Sequence, residues 1–240
     1  MEFTFEDFKK RANDPSLSKN EKIGFPDSYR KGIEKHIYSD ICKKLDLEKE
    51  NLNILDIGCG CSELLDQIII GSSKKKSSLF LVDSEEMLNN VNHDICSNNI
   101  HLVPGYFPKI DLFNSKFNNY FDRILVYSVI QYVFLEQNIY DFIHKCIDLL
   151  KSDGMLLIGD IPNISTRDRF INSDEGQKFL TNKFENSVEI EHEKHERIDD
   201  SILISIISRF RNFGCETYIL PQSTILPFGN RREDILIIKR

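Results

Sequence analysis

Two acidic residues that each lie at the end of an apolar stretch are the side chains best placed for chemistry in this sequence. Asp56 precedes the glycines Gly58 and Gly60, and Asp83 ends the apolar run 79–82. The two glycines let the backbone turn sharply and approach a ligand closely, because neither has a Cβ atom. A carboxylate at the tip of the next strand can accept hydrogen bonds from both hydroxyls of a ribose. The pattern predicts a nucleoside-binding crevice at the carboxyl ends of parallel strands.

The turn lacks the third glycine of a dinucleotide fingerprint, and Glu63 stands in its place. That glycine lets helix and strand pack closely over a pyrophosphate, so this turn favours a ligand without phosphate groups. A purely structural interpretation is also open, in which Asp56 caps the following helix and Asp83 is the N-cap of residues 84–88. The spacing of both acids around two glycines favours the binding interpretation.

The run 55–60 resembles the first motif of class I S-adenosylmethionine (SAM) dependent methyltransferases, and SAM has a ribose but no phosphate. The resemblance implies that SAM is the cofactor and S-adenosylhomocysteine the product. It places Asp56 near the methionine portion, which carries an ammonium group and a sulfonium, and it assigns the ribose to Asp83. It also implies a doubly wound, Rossmann-like α/β fold with a seven-stranded, mostly parallel sheet and a C-terminal antiparallel hairpin.

Further segments extend the resemblance over about residues 50–160. Residues 103–107 lie where family members present an adenine-contacting turn, and residues 121–132 resemble the fourth-strand motif, whose end passes beside the methyl group. Residues 149–158 match the helix, glycine turn and fifth strand. The resemblance thereby adds the following cofactor-contacting residues to the two acids and two glycines: Ser84, Met87, Gly105, Tyr106, Phe107, Tyr127, Ser128 and Gln131. Because Tyr106 stands where the family often has an acid, backbone amides and Tyr106 are expected to recognise the adenine.

Two residues are candidates for the reaction centre. Methyl transfer is an in-line displacement, and alignment of the two reactants can supply about 7–11 kcal/mol of the barrier. A general base is needed mainly when the acceptor is an unactivated hydroxyl. Asp160, at the end of the predicted fifth strand, is the candidate base, and Tyr132 is expected to face the methyl group. The structural alternatives are an Asx-turn at Asp160 and a half-buried aromatic side chain at Tyr132.

The segments outside the cofactor core are rich in arginine, and guanidinium groups pair well with phosphate or carboxylate. We therefore predict a small anionic acceptor bound by Arg30, Arg167, Arg169, Arg231 and Arg232. Residues 159–165 and 230–234 also resemble bacterial methyltransferases of capsule and surface-glycan gene sets, some of which act on phosphoramidate or on nucleotide-carried sugar precursors. This resemblance implies O-methylation of a small polar, phosphorylated or nucleotide-linked precursor of surface-polysaccharide biosynthesis.

The predicted elements alternate in the order typical of a doubly wound sheet. Helices are predicted at about 5–12, 28–45, 62–71, 85–97, 137–150 and 199–212. Strands are predicted at 53–57, 79–83, 100–103, 121–126, 154–159, 215–220 and 234–239. The last two strands must be antiparallel, because their connection is too short for a parallel crossover. We expect a single domain of 240 residues, made of a helical cap (1–50), a SAM-binding core (51–160), a substrate-covering insertion (160–200) and a final helix with the hairpin (201–240).

Charge and composition exclude several other functions. The formal net charge of −7 offers no basic footprint for nucleic acid, which disfavours a methyltransferase of RNA. The sequence has neither a secretory signal pattern nor an apolar run long enough to span a bilayer, so a cytoplasmic protein is expected. The pair Cys59 and Cys61 has no second pair or nearby histidine to complete a metal site, so no metal is predicted.

Three alternative functions remain open. A methyltransferase for a small amine would use the same core but would favour acidic or aromatic pocket residues over arginines. A non-catalytic subunit of the same fold would bind a partner protein, although the retention of both acids and both glycines argues against a dead cofactor site. A nicotinamide-dependent oxidoreductase would need the missing third glycine and would lack the terminal hairpin.

Overall fold

The strands that the structure describes form a single mixed sheet. The computed structural model describes residues 3–113, 116–185 and 197–240. Within them the strands follow the order β3-β2-β1-β4-β5-β7-β6 across the sheet. They are β1 (Asn53–Ile57), β2 (Ser78–Asp83), β3 (Ile100–Pro104), β4 (Phe121–Tyr127), β5 (Leu150–Pro162), β6 (Glu216–Pro221) and β7 (Arg232–Ile238). Strands β1 to β5 are parallel, whereas β7 pairs antiparallel with both β5 and β6. The predicted seven-stranded sheet with a terminal antiparallel hairpin is confirmed.

Helices flank this sheet. They are α1 (Phe5–Asn13), α2 (Lys19–Lys22), α3 (Asp27–Arg30), α4 (Glu34–Leu45), α5 (Glu63–Lys74), α6 (Glu85–Leu88), α7 (Ile130–Glu136), α8 (Ile139–Leu149), α9 (Ile164–Ile171), α10 (Asp174–Glu185) and α11 (Asp200–Asn212). Residues 186–196 of the predicted insertion lie outside the described residues. In the described part of the chain, no helix combines the length and apolar character needed to cross a membrane.

The predicted helix over 28–45 is two helices, α3 and α4, separated by Gly32. This glycine has a φ of +81°, which interrupts helical hydrogen bonding and which side chains other than glycine rarely adopt. The last residue of α3, Arg30, is buried beside this break and exposes only 4% of its surface.

One other helix prediction differs from the structure, and four helices, α2, α7, α9 and α10, were not predicted. The predicted helix over 85–97 is a single turn, α6, followed by a separate 3-10 turn over His93–Ile95 that Asn92 caps through its side chain. The sequence pattern also missed α7, which directly follows β4. Its residues Ile130 and Val133 are buried against the core, so tertiary packing rather than a long amphipathic pattern stabilises this short helix.

Two apolar layers cover the two faces of the sheet and hold the strand ends in place. Leu55 and Phe80 belong to one layer, whereas their chain neighbours Ile54 and Leu79 belong to the other. This alternation follows from the strand geometry, in which successive side chains point to opposite faces. Full burial of such a side chain contributes about 1.5–3 kcal/mol. The tips of β1, β2, β4 and β5 are therefore fixed relative to one another.

Candidate functional site

An open cavity lies beyond the carboxyl ends of β1, β2 and β4. It holds about 920 Å³ of space, including the part open to solvent. The residues predicted to bind cofactor or substrate, or to face the methyl group, that line it are Arg30, Asp56, Gly58, Gly60, Asp83, Met87, Tyr106, Tyr127, Ser128 and Tyr132. The structure thus gathers in one place residues that are up to 102 positions apart in the sequence.

The glycine turn after β1 forms the floor of this cavity. Gly58 has a φ of +71° and Gly60 a φ of +64°. A Cβ at Gly58 would lie 2.6 Å from Val129 Cγ2, and one at Gly60 would lie 2.7 Å from Ile23 Cγ2. Both positions therefore need glycine for two reasons, the left-handed backbone and the close neighbour.

Asp83 is tied directly to this turn. Its Oδ2 accepts a hydrogen bond from the Gly60 backbone N–H over 2.9 Å, and its Oδ1 accepts one from Ser84 N over 2.7 Å. Burial raises the pKa of Asp83 to about 6, and the two backbone hydrogen bonds oppose that rise. A carboxylate offers about four acceptor positions. Asp83 can therefore bind two further donors, such as a pair of hydroxyls, while it stays anchored to the turn.

Asp56 is the second acid of the cavity, and it exposes only 3% of its surface. Its side chain has no hydrogen-bond partner among the residues that the structure describes. Burial, and then the neighbouring charge of Asp83, raise the pKa of Asp56 to about 8. A buried carboxylate without a partner is costly, and a bound cation would offset that cost. The site therefore suits a ligand with one positive group near Asp56 and hydroxyls near Asp83.

Aromatic side chains from the N-terminal segment cover the cavity, and the sequence analysis did not identify them. Phe5 of α1 packs on Tyr106 with ring centroids 4.6 Å apart. Phe8 packs edge-on against Tyr132 at 4.9 Å. Phe25 completes this aromatic cover, and the aliphatic side chain of Ile23 lies beside it in the cavity wall. The available signal was the amphipathic helix that begins at the Thr4 capping box, whose apolar face had no assigned partner.

The tips of β4 and β5 form the far wall. Ser128 and Asp160 both have left-handed backbones, with φ of +59° and +61°, and the Ser128 hydroxyl donates to Asp160 Oδ2. Such a conformation costs a residue other than glycine on the order of 1–3 kcal/mol and persists only where its surroundings enforce it. The two strained residues lie side by side, because Ser128 N also donates to the Gly159 carbonyl over 2.9 Å.

Asp160 does not line the main cavity but borders a smaller cavity beside it, which holds about 210 Å³ of space, including the part open to solvent. Its Oδ2 lies 2.6 Å from Arg232 Nη1 and 3.6 Å from Arg30 Nη2. The backbone N–H of Asp160 donates to Asp234 Oδ1 over 2.8 Å, and Lys44 Nζ lies 2.6 Å from Asp234 Oδ2. Asp160 is therefore the centre of a buried ionic network, and two guanidinium groups and a hydroxyl already engage its Oδ2.

Several other residues predicted for the site have structural contacts. The Ser84 hydroxyl caps α6 by accepting from Met87 N over 3.1 Å. Gly105 N donates to the Asp83 carbonyl over 2.9 Å, so Gly105 fixes the end of β2. Phe107 is buried in the core, with its carbonyl accepting from Gln137. Gln131 Nε2 donates to the Ser128 carbonyl over 2.8 Å. These residues surround the cavity without lining it.

Four of the five predicted substrate arginines do not line the cavity either. Arg167 and Arg169 lie on α9 and pair with Asp168 and Asp200. Arg231 lies over the ring of Phe228 at 4.9 Å. Arg232 lies behind Asp160. Arg30 is the one predicted substrate arginine that reaches the cavity. In the part of the chain that the structure describes, no group of histidine, cysteine, aspartate or glutamate side chains forms a metal site.

Comparison with known proteins supports this architecture. No protein-family model matches the chain, and no curated protein matches it. Among solved structures, a SAM-dependent methyltransferase from Aquifex aeolicus superposes with a TM-score of 0.58 at 16% identity over 100% of both chains. A Haemonchus contortus phosphoethanolamine N-methyltransferase, solved with phosphomonomethylethanolamine and S-adenosylhomocysteine, gives 0.57 at 14% identity. That match covers 99% of this chain and 60% of the Haemonchus chain. The protein has the fold of class I SAM-dependent methyltransferases.

Proposed function

We propose that this protein is a SAM-dependent methyltransferase that acts on a small polar molecule. The observation that carries the proposal is the pair of buried acids around the glycine turn. Asp56 has no partner among the described residues, and its pKa is raised to about 8, while Asp83 keeps free acceptor positions at the same cavity. A nucleoside that carries a cationic substituent and no phosphate group fits the pair Asp56 and Asp83.

The chain's own residues would hold the cofactor in a defined way. Asp83 would accept from the ribose hydroxyls, and Asp56 would pair with the ammonium of the methionine portion. Met87 and Tyr106, which line the cavity next to Asp83, would contact the adenine. SAM supplies a methyl group on a sulfonium, which is a good leaving group. The remaining task of the protein is to align an acceptor with that methyl group and to exclude water.

The N-terminal aromatic cover serves both tasks. Phe5 and Phe8 close the cavity against Tyr106 and Tyr132, and the backbone N–H of Phe5 donates to Glu136 Oε2 over 3.1 Å. These contacts tie α1 to the end of α7. An apolar cover of this kind lowers the local dielectric and orders the reactants, which is where most of the rate enhancement of such a displacement arises.

For the acceptor, O-methylation with Asp160 as general base and Tyr132 beside the methyl group remains our first proposal. Tyr132 lines the cavity, and its ring packs on Phe8. Asp160 does not line the cavity itself but lies behind Ser128, whose hydroxyl donates to it. A phosphorylated or nucleotide-linked precursor of surface polysaccharide remains a prediction from the two short segments that suggested it.

A specific observation favours N-methylation of a small amine as the second candidate. The walls of the cavity are aromatic and acidic, with Glu136 beside Tyr106 and a single arginine from the predicted set. Aromatic faces and carboxylates stabilise a cationic amine. The Haemonchus neighbour, by its description an N-methyltransferase, has the same fold.

Calorimetric titration with S-adenosylhomocysteine, with NAD as the parallel ligand, tests the proposal. Micromolar affinity for S-adenosylhomocysteine, about −8 kcal/mol, without binding of NAD supports it. Binding of NAD alone would show that the methyltransferase assignment is wrong. If neither ligand binds, the interpretation as a non-catalytic subunit is favoured. Incubation of fresh, ligand-free protein with SAM and matched pairs of hydroxyl and amine acceptors then separates O- from N-methylation.

A further inference from the structure

Arg30 is a buried cation whose hydrogen bonding is incomplete. It exposes 4% of its surface and lines the main cavity. Its Nη2 donates to Ser128 Oγ over 2.9 Å, whereas Nε and Nη1 have no hydrogen-bond partner among the described residues. The side chain lines the cavity, where water or a ligand can accept from these two nitrogens. A group in the cavity is therefore expected to accept from Arg30.

The guanidinium is held in a fixed position. Its Cζ lies 4.0 Å from the centroid of the Phe25 ring, which covers one face. Asp160 Oδ2 lies 3.6 Å from Nη2, and the same oxygen is 2.6 Å from Arg232 Nη1. Arg232 and Ser128 also bind Asp160 Oδ2, and the only contact of this carboxylate with Arg30 in the described residues is at Nη2, so it does not occupy Nε or Nη1 of Arg30.

The order of the strands separates Arg30 from the proposed nucleoside site. Asp83 and Asp56 belong to β2 and β1, whereas Arg30 contacts the tips of β4 and β5, which follow in the order β2-β1-β4-β5. Neighbouring strands lie about 4.8 Å apart. Arg30 therefore lies one to two strand spacings beyond Asp56, on the side away from the ribose site. This is where the molecule that receives the methyl group would bind.

We propose that Arg30 binds an anionic oxygen, from a carboxylate or a phosphate group, on the methyl acceptor, and that Asp160 and Arg232 are its positioning residues. The inference rests on the proposed function and names the chemical class of its acceptor. The carboxylate of the cofactor's own methionine portion carries the same chemistry, so the experiment must distinguish the two sources.

The first arm measures cofactor binding by calorimetry. Arg30→Gln is compared with the native protein and with Arg240→Gln, whose parent side chain is half exposed and pairs with Asp153 and Glu216. The ligands are S-adenosylhomocysteine and methylthioadenosine, which lacks the amino acid portion. We expect all three proteins to bind each ligand within about twofold. A loss of S-adenosylhomocysteine affinity in Arg30→Gln, with methylthioadenosine binding unchanged, would assign Arg30 to the cofactor and overturn the proposal.

The second arm measures binding of inorganic phosphate to the protein saturated with S-adenosylhomocysteine, by phosphorus NMR titration at constant ionic strength. We expect Arg30→Gln to lose about 10- to 100-fold in phosphate affinity, as for a hydrogen bond to a charged group, and Arg240→Gln to lose none. Arg30→Lys should keep part of the affinity because it keeps the charge. Equal phosphate binding by Arg30→Gln and the native protein would overturn the inference.

Two controls are needed to interpret the calorimetric and the NMR titrations. Thermal unfolding of each variant shows whether it is folded, and Arg30→Lys provides a second variant that retains a cation beside Asp160. If the native protein binds no S-adenosylhomocysteine, the proposed function fails, and the phosphate titration of the unloaded protein still tests the anion site at Arg30 by itself.

Discussion

The backbone N–H of Gly60 donates to Asp83 Oδ2 over 2.9 Å. This hydrogen bond joins the glycine turn after β1 to the acid at the end of β2, so the turn and the carboxylate form one rigid unit. Asp56 lies beside this unit without a partner among the described residues. Substitutions at these residues test whether they hold the cofactor, and substitutions in the neighbouring ionic network test what that network does.

Replacement of Asp83 tests the ribose assignment. Asp83→Ala removes the acceptors for two hydroxyls, and hydrogen bonds to a charged group contribute about 1.5–3 kcal/mol each. We expect S-adenosylhomocysteine affinity to fall at least 10-fold by calorimetry. Asp148→Asn, a change at an exposed acid of α8, should leave the affinity unchanged. Native affinity in a folded Asp83→Ala protein would exclude the ribose role.

Cofactor binding should depend on pH through Asp56. Its pKa is raised to about 8 in the free protein, and pairing with an ammonium requires the ionised form. Binding at pH 7 should therefore release close to one proton, and affinity should rise roughly 50-fold from pH 6 to pH 8. Asp83, with a pKa of about 6, adds to this slope only at the acidic end.

Calorimetry in two buffers of different ionisation enthalpy counts the released protons. Asp56→Asn should bind weakly and with a flat pH dependence. A native protein whose affinity is the same at pH 6 and pH 8 would contradict the assignment of the ammonium to Asp56.

The same acid should reduce the stability of the free protein. The folded-state pKa of Asp56, about 8, lies above the ordinary value of 3.8. The folded protein therefore binds more protons than the unfolded chain, and its stability falls as the pH rises from about 4 to about 8. At pH 8 this penalty amounts to about 5 kcal/mol, and Asp56→Asn removes it, partly offset by an unpaired buried amide.

We expect Asp56→Asn to unfold at a higher temperature than the native protein at pH 8, with a smaller gain at pH 5. Asp148→Asn provides the matched surface control. A lower melting temperature for Asp56→Asn at pH 8 would show that the carboxylate has a stabilising partner.

Gly60→Ala tests whether the turn needs a residue without a Cβ atom at this position. Its Cβ would lie 2.7 Å from Ile23 Cγ2 at a φ of +64°, so we expect a loss of about 1–3 kcal/mol in stability and weaker cofactor binding. Gly214→Ala is the matched control, because Gly214 also has a positive φ, +84°, but no atom within 4 Å of its Cβ position. If both variants bind the cofactor equally well, the close contact between a Cβ at position 60 and Ile23 does not affect cofactor binding.

Asp160→Asn distinguishes a general base from a structural anchor, that is, a carboxylate that only holds Arg30 and Arg232 in place. As a base, Asp160 would contribute about 100- to 10,000-fold to turnover of a hydroxyl acceptor, with a matching change in the pH–rate profile. As an anchor, its loss would leave Arg30 and Arg232 without their carboxylate and destabilise the fold by about 3–5 kcal/mol. Thermal unfolding and the pH profile of kcat, measured on the same protein, separate the two roles.

The fold was predictable from the sequence because the strands follow a strong local pattern. Buried parallel strands such as 53–57 and 79–82 read as continuous apolar runs, and the glycine turn and Asp83 mark where two of them end. The substrate side was less accessible. Arg30 reaches the cavity as the last residue of α3, just before the break at Gly32, and no periodicity signals which way a residue at such a break will turn.

The aromatic cover was missed for a related reason. Phe5 and Phe8 lie on an amphipathic helix whose partner surface, Tyr106 and Tyr132, is more than 90 residues away in sequence. Local patterns show that such a helix has an apolar face but not what that face covers. Asp160 presents the same difficulty, because its ionic partners come from α3 and β7.

A crystal structure of the protein grown with S-adenosylhomocysteine tests the central claim most directly. We predict ribose hydroxyls within about 3 Å of the Asp83 carboxylate and the ligand's amino group within about 3 Å of Asp56. A ligand bound elsewhere, or one whose amino group lies away from Asp56, would contradict the account.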